Sequence, residues 1–239
     1  MNRFIKVGGV AVVVAVMAIF VFIGFQILPL FRTARVSVLR TVQLPPGDYI
    51  GLGLDEYGAL PVLVNAEGRI GFFDLKGDRG LVWADPGFDA VRRLTASSYH
   101  AGRQDVAVGT ADGHFALVTL GFESSEVDGQ RVVTGEAKAA PFVAIGKPGH
   151  PVRLIRYGDA GDTKILAAVQ EVEGRWELHV ALLSQERTLL GAGEIKVERS
   201  VDLTGSLSGR PVHLQVNRTA DAVVVAMESG EVQYFVLSG

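Results

Sequence analysis

The stretch that decides the fold is Asp105-Val-Ala-Val-Gly-Thr-Ala-Asp-Gly-His-Phe-Ala-Leu-Val-Thr-Leu120. It contains an apolar run, a short polar turn that ends in Gly113, and a second apolar run. Asp112-Gly113 is typical of a tight hairpin turn, because both residues tolerate the positive φ that such turns require. The run after the turn alternates with a period of two, which directs one face of the strand toward a core. The segment therefore predicts a β-hairpin.

Three further segments repeat this pattern of apolar run, polar turn ending in glycine, and alternating run. They are Leu60–Leu75, Lys164–Leu183 and Ala222–Leu237, and their turn glycines are Gly68, Gly174 and Gly230. Counting Gly113, the turn glycines follow one another at intervals of 45, 61 and 56 residues. These spacings approach the repeat of about 40–50 residues found in propeller blades. The longer intervals indicate insertions, notably at Gly121–Pro141.

A short β-like segment precedes three of the hairpins, at Val91–Thr95, Val152–Arg156 and Val212–Val216. The sequence therefore predicts an all-β fold, a β-propeller-like domain of about four WD40-like blades over residues 47–239. The pattern stops at Ser238-Gly239, and an unclosed propeller leaves strand edges exposed. We therefore expect the domain to be incomplete at its C-terminus. An open antiparallel sandwich with similar hairpins is the alternative.

The N-terminus carries one long apolar segment, Val7–Leu28, in which Gln26 is the only polar side chain. As a helix it would be roughly 33 Å long, about the thickness of the hydrocarbon core of a bilayer. Pro29 follows directly, where a helix can stop without strain. We predict a cytoplasmic tail over residues 1–6, a transmembrane helix over 7–28 and a linker over 29–46.

A cleaved signal peptide is the main alternative for this segment. Its apolar region is normally about 7–15 residues and ends in an A-x-A-like site, which is absent here. The basic residues on the two sides nearly balance, with Arg3 and Lys6 before the segment and Arg32 and Arg35 after it. A short tail followed by a long domain favours the tail inside. We therefore predict an uncleaved anchor in a bacterial inner membrane, with the β-domain in the periplasm.

No motif for catalysis, metal binding or cofactor binding emerges from the sequence. The five histidines have no H-x-x-x-H spacing, and there is no cysteine. Gly51-Leu52-Gly53 lies inside a strand pattern and opens no helix, so it does not predict a phosphate-binding loop. We predict a protein that is not an enzyme, with no catalytic, cofactor-binding or metal-binding residues and no cofactor.

Charge argues against nucleic acid as a partner. The chain has 23 basic and 26 acidic residues, and the acidic excess grows once the basic residues that flank the apolar segment are set aside. No basic run is available to neutralise phosphates. Arg92, Arg93, Arg153 and Arg156 are expected on solvated strand faces, and the histidines in turns or half-exposed strand positions.

The apolar helix running into Ile27-Leu28-Pro29-Leu30-Phe31, followed by degenerate propeller-like repeats, resembles the N-terminal region of long phosphate ABC-transporter permeases of the PstC type. In that family a helix ends in a similar Leu-Pro-Leu-Phe or Ala-Pro-Leu-Phe sequence, and a β-rich domain faces the periplasm. The resemblance implies a non-catalytic accessory domain of a phosphate importer. It implies as partners a second permease, an ATPase and a periplasmic phosphate-binding protein.

The permease helices and the loop that couples them to an ATPase have no counterpart in this sequence, so no translocation residue can be assigned. Two other functions remain open. One is a free-standing membrane-tethered propeller scaffold for protein–protein interaction in the cell envelope. The other is a periplasmic enzyme built on a propeller, which would need converging polar residues in a central channel.

Overall fold

A computed structural model gives the fold. It describes residues 2–28, 38, 41–56, 58–75, 80–127, 130–188, 191–203, 205 and 207–237. The chain divides into two compact units, Met1–Gln43 and Leu44–Gly239. Pro29, Leu30 and Phe31 of the sequence motif, and the basic residues that follow them, lie outside the described residues.

The first unit contains one helix, α1, over Asn2–Ile27. Within it, Val7–Ile27 has a mean hydropathy of 2.8 and is long and apolar enough to cross a membrane. Such a helix near the N-terminus is either a membrane span or a signal sequence. Helical backbone begins at Asn2, so it includes most of the segment predicted as a tail.

The second unit is built from four antiparallel sheets that follow one another along the chain. We call them blades 1 to 4. Blade 1 consists of β1 (Tyr49–Leu54), β2 (Pro61–Asn65), β3 (Ile70–Phe73) and β4 (Leu81–Ala84). Blade 2 consists of β5 (Leu94–His100), β6 (Asp105–Thr110), β7 (His114–Val127) and β8 (Gln130–Ala139), with the short β9 (Val143–Ala144) paired to β7.

Blade 3 consists of β10 (Val152–Asp159), β11 (Lys164–Val172), β12 (Arg175–Thr188) and β13 (Gly191–Leu203). Blade 4 consists of β14 (Pro211–Val216), β15 (Ala222–Met227) and β16 (Val232–Val236). Apart from β9, the strands of every blade lie side by side in chain order. The first strands, β1, β5, β10 and β14, contact one another in succession and form the inner edge of the assembly. The predicted all-β, propeller-like fold behind one apolar helix is confirmed.

The four predicted hairpins are confirmed as the β2–β3, β6–β7, β11–β12 and β15–β16 pairs. Their turn glycines all have positive φ, from 76° to 88°. The prediction that Asp112 also has positive φ is wrong, since Ala111–Gly113 form a three-residue loop in which only the glycine is left-handed. Glu173-Gly174 is the pair in which both residues have positive φ.

Two further predictions are corrected. The residues 121–141 are not an insertion, because β7 continues to Val127 and pairs with β8 as the outer strands of blade 2. The strand predicted from Val91 begins instead at Leu94. Arg92 and Arg93 precede it, and their side chains bind Asp112 and Asp48 at the end of the sheets.

The core consists of three apolar clusters, one between each pair of successive blades. Alternate residues of one strand enter different clusters: Ala107 packs toward blade 3, while Val106 and Val108 pack toward blade 1. A third cluster joins blades 3 and 4. This alternation explains why the strands read as apolar runs, since each inner sheet is buried on two faces. In the part of the chain that the structure describes, the four sheets form an open arc and do not close into a ring.

Candidate interaction surface

Side-chain hydrogen bonds connect the inner strands of blades 1 and 2. Ser97 Oγ donates to the carbonyl oxygen of Ile50 over 2.8 Å, and Tyr99 Oη donates to that of Leu54 over 2.7 Å. The glycines of β1 make room for them: a Cβ on Gly53 would lie 2.6 Å from the Tyr99 ring, and one on Gly51 would collide with Ser97. The Gly-x-Gly pattern of β1 therefore serves close packing between blades.

The same arrangement continues around the inner edge. Thr95 Oγ1 donates to the carbonyl oxygen of Val152 over 2.7 Å, which joins blades 2 and 3. Arg156 Nε donates to the carbonyl oxygen of Leu214 over 2.8 Å, which joins blades 3 and 4. We call this row of hydrogen bonds between side chains and inner-strand carbonyls the inner seam. It satisfies carbonyl groups at a sheet edge that has no further strand to pair with.

One end of the blades carries the β6–β7 turn and the loops that lead into β5 and β10, and we call it the loop end. The turn is held between those loops by backbone hydrogen bonds. Ala111 N donates to Arg93 O over 2.9 Å, Ile145 N to Gly113 O over 2.9 Å, and Gly149 N to Asp112 O over 3.0 Å. The loop end of blades 2 and 3 is therefore a fixed surface.

A polar group at the loop end surrounds Asp112. Its carboxylate accepts hydrogen bonds from Arg92 and from Thr110 Oγ1, the latter over 2.6 Å. Arg92 also lies 3.1 Å from His114 Nδ1, and its guanidinium carbon is 5.4 Å from the centre of the Phe142 ring. Burial lowers the pKa of His114, and the charge of Arg92 lowers it further. His114 therefore favours its neutral form at neutral pH.

The opposite end holds a second polar group, centred on Asp159, whose side chain is 1% exposed. Its carboxylate accepts from Lys164 Nζ over 2.8 Å, from Arg103 over 3.2 Å and from Tyr157 Oη over 3.1 Å. Burial raises the pKa of Asp159, but hydrogen bonds from Lys164 and from the backbone of Gly161 outweigh it, so the net pKa is lowered. Arg103 belongs to blade 2, so this group also joins blades.

Two titratable groups near Asp159 have raised pKa values. Burial raises the pKa of Tyr157 far above its ordinary value, and the charges of Asp159 and Asp105 add to the effect. Burial likewise raises the pKa of Asp105, although Thr119 and Lys164 oppose the shift. Tyr157 therefore stays a neutral hydrogen-bond donor throughout the physiological range.

One histidine is fully buried in blade 3, where a turn or half-exposed position was expected. His179 Nδ1 lies 2.8 Å from Asp202 Oδ1, and its Nε2 lies 3.6 Å from Glu177 Oε2. Within the described residues, no group of three or more His, Asp or Glu side chains is placed to hold a metal ion. The group around His179 therefore joins neighbouring strands of one sheet.

The four arginines expected on solvated strand faces have different environments. Arg153 is exposed on β10 as expected, and Arg93 pairs with Asp48 on the surface. Arg92 and Arg156 are half-buried and hold the loop end and the inner seam. The sequence analysis did not predict the inner seam, although the spacing of Gly51 and Gly53 within one strand is a signal that could have indicated a close approach between strands.

The sequence matches no model of a known protein family and no curated protein. The fold is similar to the β-propeller domain of Cps50 (Swd1) of Myceliophteria thermophila, with a TM-score of 0.53 and 11% sequence identity over 80% of this chain and 54% of that one. It also matches Kluyveromyces lactis Hsv2, at a TM-score of 0.45 and 12% identity over 81% of this chain and 50% of that one. This chain thus spans about half the length of each structure. At such low identity the first similarity shows the fold alone, that of a β-propeller.

Proposed function

We propose that the protein is a membrane-tethered β-propeller scaffold that binds other proteins of the cell envelope through its loop end. The observation that supports this most is that polar groups at the loop end form hydrogen bonds with one another and hold that surface in one shape. At the loop end, Asp112 accepts hydrogen bonds from Arg92 and Thr110, and backbone hydrogen bonds hold the β6–β7 turn between the neighbouring loops. A scaffold needs such a rigid surface, because a preformed surface loses little entropy on binding.

In this proposal α1 anchors the chain in a bacterial inner membrane, its N-terminus faces the cytoplasm, and the β-domain lies in the periplasm. The apolar segment Val7–Ile27 and its length support the anchor. The protein is not an enzyme in this proposal. Two of the groups whose pKa is shifted, Tyr157 and Asp159, are hydrogen-bonded to each other.

The first experiment tests the anchor and the orientation. The full chain is expressed in a bacterial host, and membranes are washed with alkaline carbonate. We expect the protein to stay in the membrane pellet uncleaved, and added protease to reach the β-domain only after the outer membrane is opened. Release of a shortened soluble protein would show a signal peptide, and protection of the β-domain in spheroplasts would reverse the orientation.

The second experiment tests the loop end as the binding surface. A photo-crosslinking residue replaces exposed Pro148 at the loop end, and in a matched variant exposed Ala160 at the opposite end. We expect a defined crosslinked partner from Pro148 and none from Ala160. Equal crosslinking from the two ends, or none from either, would contradict a scaffold that binds through the loop end.

The phosphate-permease accessory domain remains a second proposal, supported by the sequence at Ile27–Phe31 and by the order of helix and propeller. It makes a separate prediction about the encoding DNA. Downstream of the codon for Gly239 the frame should run on into further β repeats and then several apolar spans. A stop codon at or near that point would remove this proposal and leave the free-standing scaffold.

A further inference from the structure

Gln170, near the end of β11, has a polar side chain but is 0% exposed. It follows the apolar run Ile165–Val169 and lies on the face of blade 3 that packs on blade 2, because it continues the alternate positions of Leu166 and Ala168. Burial of an amide costs free energy unless the amide forms hydrogen bonds. The partners of those hydrogen bonds therefore indicate what the residue does.

The amide of Gln170 binds the backbone of the loop that joins blade 2 to blade 3. Its Oε1 accepts a hydrogen bond from Lys147 N over 2.7 Å. Its Nε2 donates to the carbonyl oxygen of His150 over 2.7 Å and to that of Lys147 over 3.2 Å. We call residues 146–150 the clamped loop. One side chain of blade 3 thus satisfies three backbone groups of this loop.

The clamped loop has little internal support. Gly146 and Gly149 are both left-handed, with φ of 65° and 78°, and Pro148 has no N–H to donate. One backbone hydrogen bond is formed within the loop, from His150 N to Lys147 O, and at 3.4 Å it is long. The shape of the loop therefore depends on groups outside it.

Two glycines let the loop and the β6–β7 turn approach the amide of Gln170. A Cβ on Gly146 would collide with Gln170 Oε1 and would lie 2.6 Å from His179 Nε2. A Cβ on Gly113 would lie 3.1 Å from Gln170 Nε2 and 2.7 Å from the carbonyl oxygen of Lys147. The loop, the amide and the turn are therefore in direct contact, with no room for a further side chain between them.

The equivalent residues of blades 1 and 2 act differently. Gln170 pairs with the first residue of the inner strand of its blade, and Asn65 and Thr110 have the same position in blades 1 and 2. Asn65 Oδ1 accepts from Arg69 N over 2.7 Å, and Thr110 Oγ1 accepts from His114 N over 2.8 Å, so each holds the turn of its own hairpin. Gln170 has the longer side chain and reaches instead to the loop that arrives from the neighbouring blade.

We propose that Gln170 positions the part of the loop end that contacts other proteins, and that this part is the tip of the clamped loop, Lys147–Gly149. All three residues of the tip are exposed, whereas the side chain that holds them is fully buried. A tip that is already held in one shape binds without the entropy cost of ordering a loop. The inference rests on the proposed function, because it assigns the contact segment of the same surface and the residue that shapes it.

Hydrogen exchange of the full chain in detergent, resolved to single amides, tests the positioning without any partner. In Gln170→Met, which keeps the length of the side chain and removes its polar groups, the Lys147 amide should exchange at least about tenfold faster, because the hydrogen bond that protects it is lost. The Ile145 amide, which donates to Gly113 O, should change less. As a matched control, Thr95→Val removes another hydrogen bond between blades 2 and 3 and should leave Lys147 unchanged. Equal acceleration by both substitutions would overturn the proposal, and so would a wild-type Lys147 amide that exchanges as fast as an unstructured one.

Photo-crosslinking from position 148 separates this inference from the scaffold itself. The chain with the crosslinking residue at that position should give a defined partner, and adding Gln170→Met should remove most of this product, whereas adding Thr95→Val should preserve it. An undiminished product with Gln170→Met would overturn the role of Gln170 and leave the scaffold intact. Absence of a product without any further substitution would overturn the scaffold, and with it the tip as its contact, even where exchange shows that Gln170 holds the loop.

Discussion

The side chain of Arg156 on β10 donates from Nε to the carbonyl oxygen of Leu214 on β14, over 2.8 Å. Its terminal nitrogen lies 3.3 Å from Ser98 Oγ on β5. One side chain thus connects the inner strands of three blades. Hydrogen bonds from a charged donor are stronger than neutral ones, so this contact is the strongest single element of the inner seam.

Replacing Arg156 should therefore destabilise the β-domain. We expect Arg156→Met, which keeps most of the length and removes the donors, to lower the free energy of unfolding by about 1.5–3 kcal/mol, the range for hydrogen bonds to charged groups. Urea unfolding of the full chain in detergent measures this. Arg153→Met, at an exposed arginine of the same strand, should change it by less than about 0.5 kcal/mol. Equal effects of the two substitutions would contradict the seam.

Gly113 should tolerate no side chain. Its φ is +84°, and a Cβ there would lie 2.7 Å from the carbonyl oxygen of Lys147. We expect Gly113→Val to cost at least about 1–3 kcal/mol from backbone strain alone and to loosen the loop end of blades 2 and 3. Thermal unfolding checks this. Gly209→Ala, at a glycine with no atom within 4 Å of the added Cβ, serves as the control, and an unchanged melting temperature for Gly113→Val would refute the turn geometry.

The sequence predicts the hairpins well because their signals are local. A glycine in a short polar turn between apolar runs, as at Gly113 or Gly230, determines the turn wherever the sheet lies. The outer strands β8 and β13 escaped prediction because polar residues separate their apolar ones, and the inward positions of β8 carry only small residues such as Ala137 and Ala139, so the alternation is weak. The strand start predicted at Val91 was wrong for the opposite reason: Val91 is an apolar residue in a loop, and its apolar side chain resembles the first residue of a strand.

Contacts between blades could not be predicted from the sequence. Ser97 and Ile50 are far apart in the chain, and only the packing of β5 on β1 brings them within hydrogen-bond distance. The burial of His179 and Asp159 depends in the same way on neighbouring strands. Composition gave no hint of it, because Asp and His are usually exposed or half-exposed.

Tyr157 should not ionise with the other tyrosines. Burial and the carboxylates of Asp159 and Asp105 raise its pKa far above 10. We expect Tyr157→Phe to leave the absorbance change at 295 nm near pH 10.5 unchanged in folded protein, with folding checked by circular dichroism. In guanidinium, where burial is lost, the variant should lose one fifth of the change, since the chain has five tyrosines. A one-fifth loss in the folded protein would place Tyr157 in contact with solvent.

Asp159 should make the stability of the β-domain depend on acid pH. Its pKa is lower in the folded chain than the ordinary value of about 4, because the hydrogen bonds from Lys164 and Gly161 outweigh the effect of burial. A group whose pKa is lowered by folding stabilises the fold above its unfolded pKa, and this contribution is lost as the pH falls through the folded pKa. We expect Asp159→Asn to cost about 1.5–3 kcal/mol at pH 7, and this difference from wild type to shrink below about pH 4. Urea unfolding from pH 3 to 8 measures it, with Asp162→Asn, at an exposed carboxylate of the same turn, as the control for the loss of one charge. A difference that stays constant with pH would mean that Asp159 stabilises the turn by shape, because a carboxylate that acts through its charge must lose its effect when it is protonated.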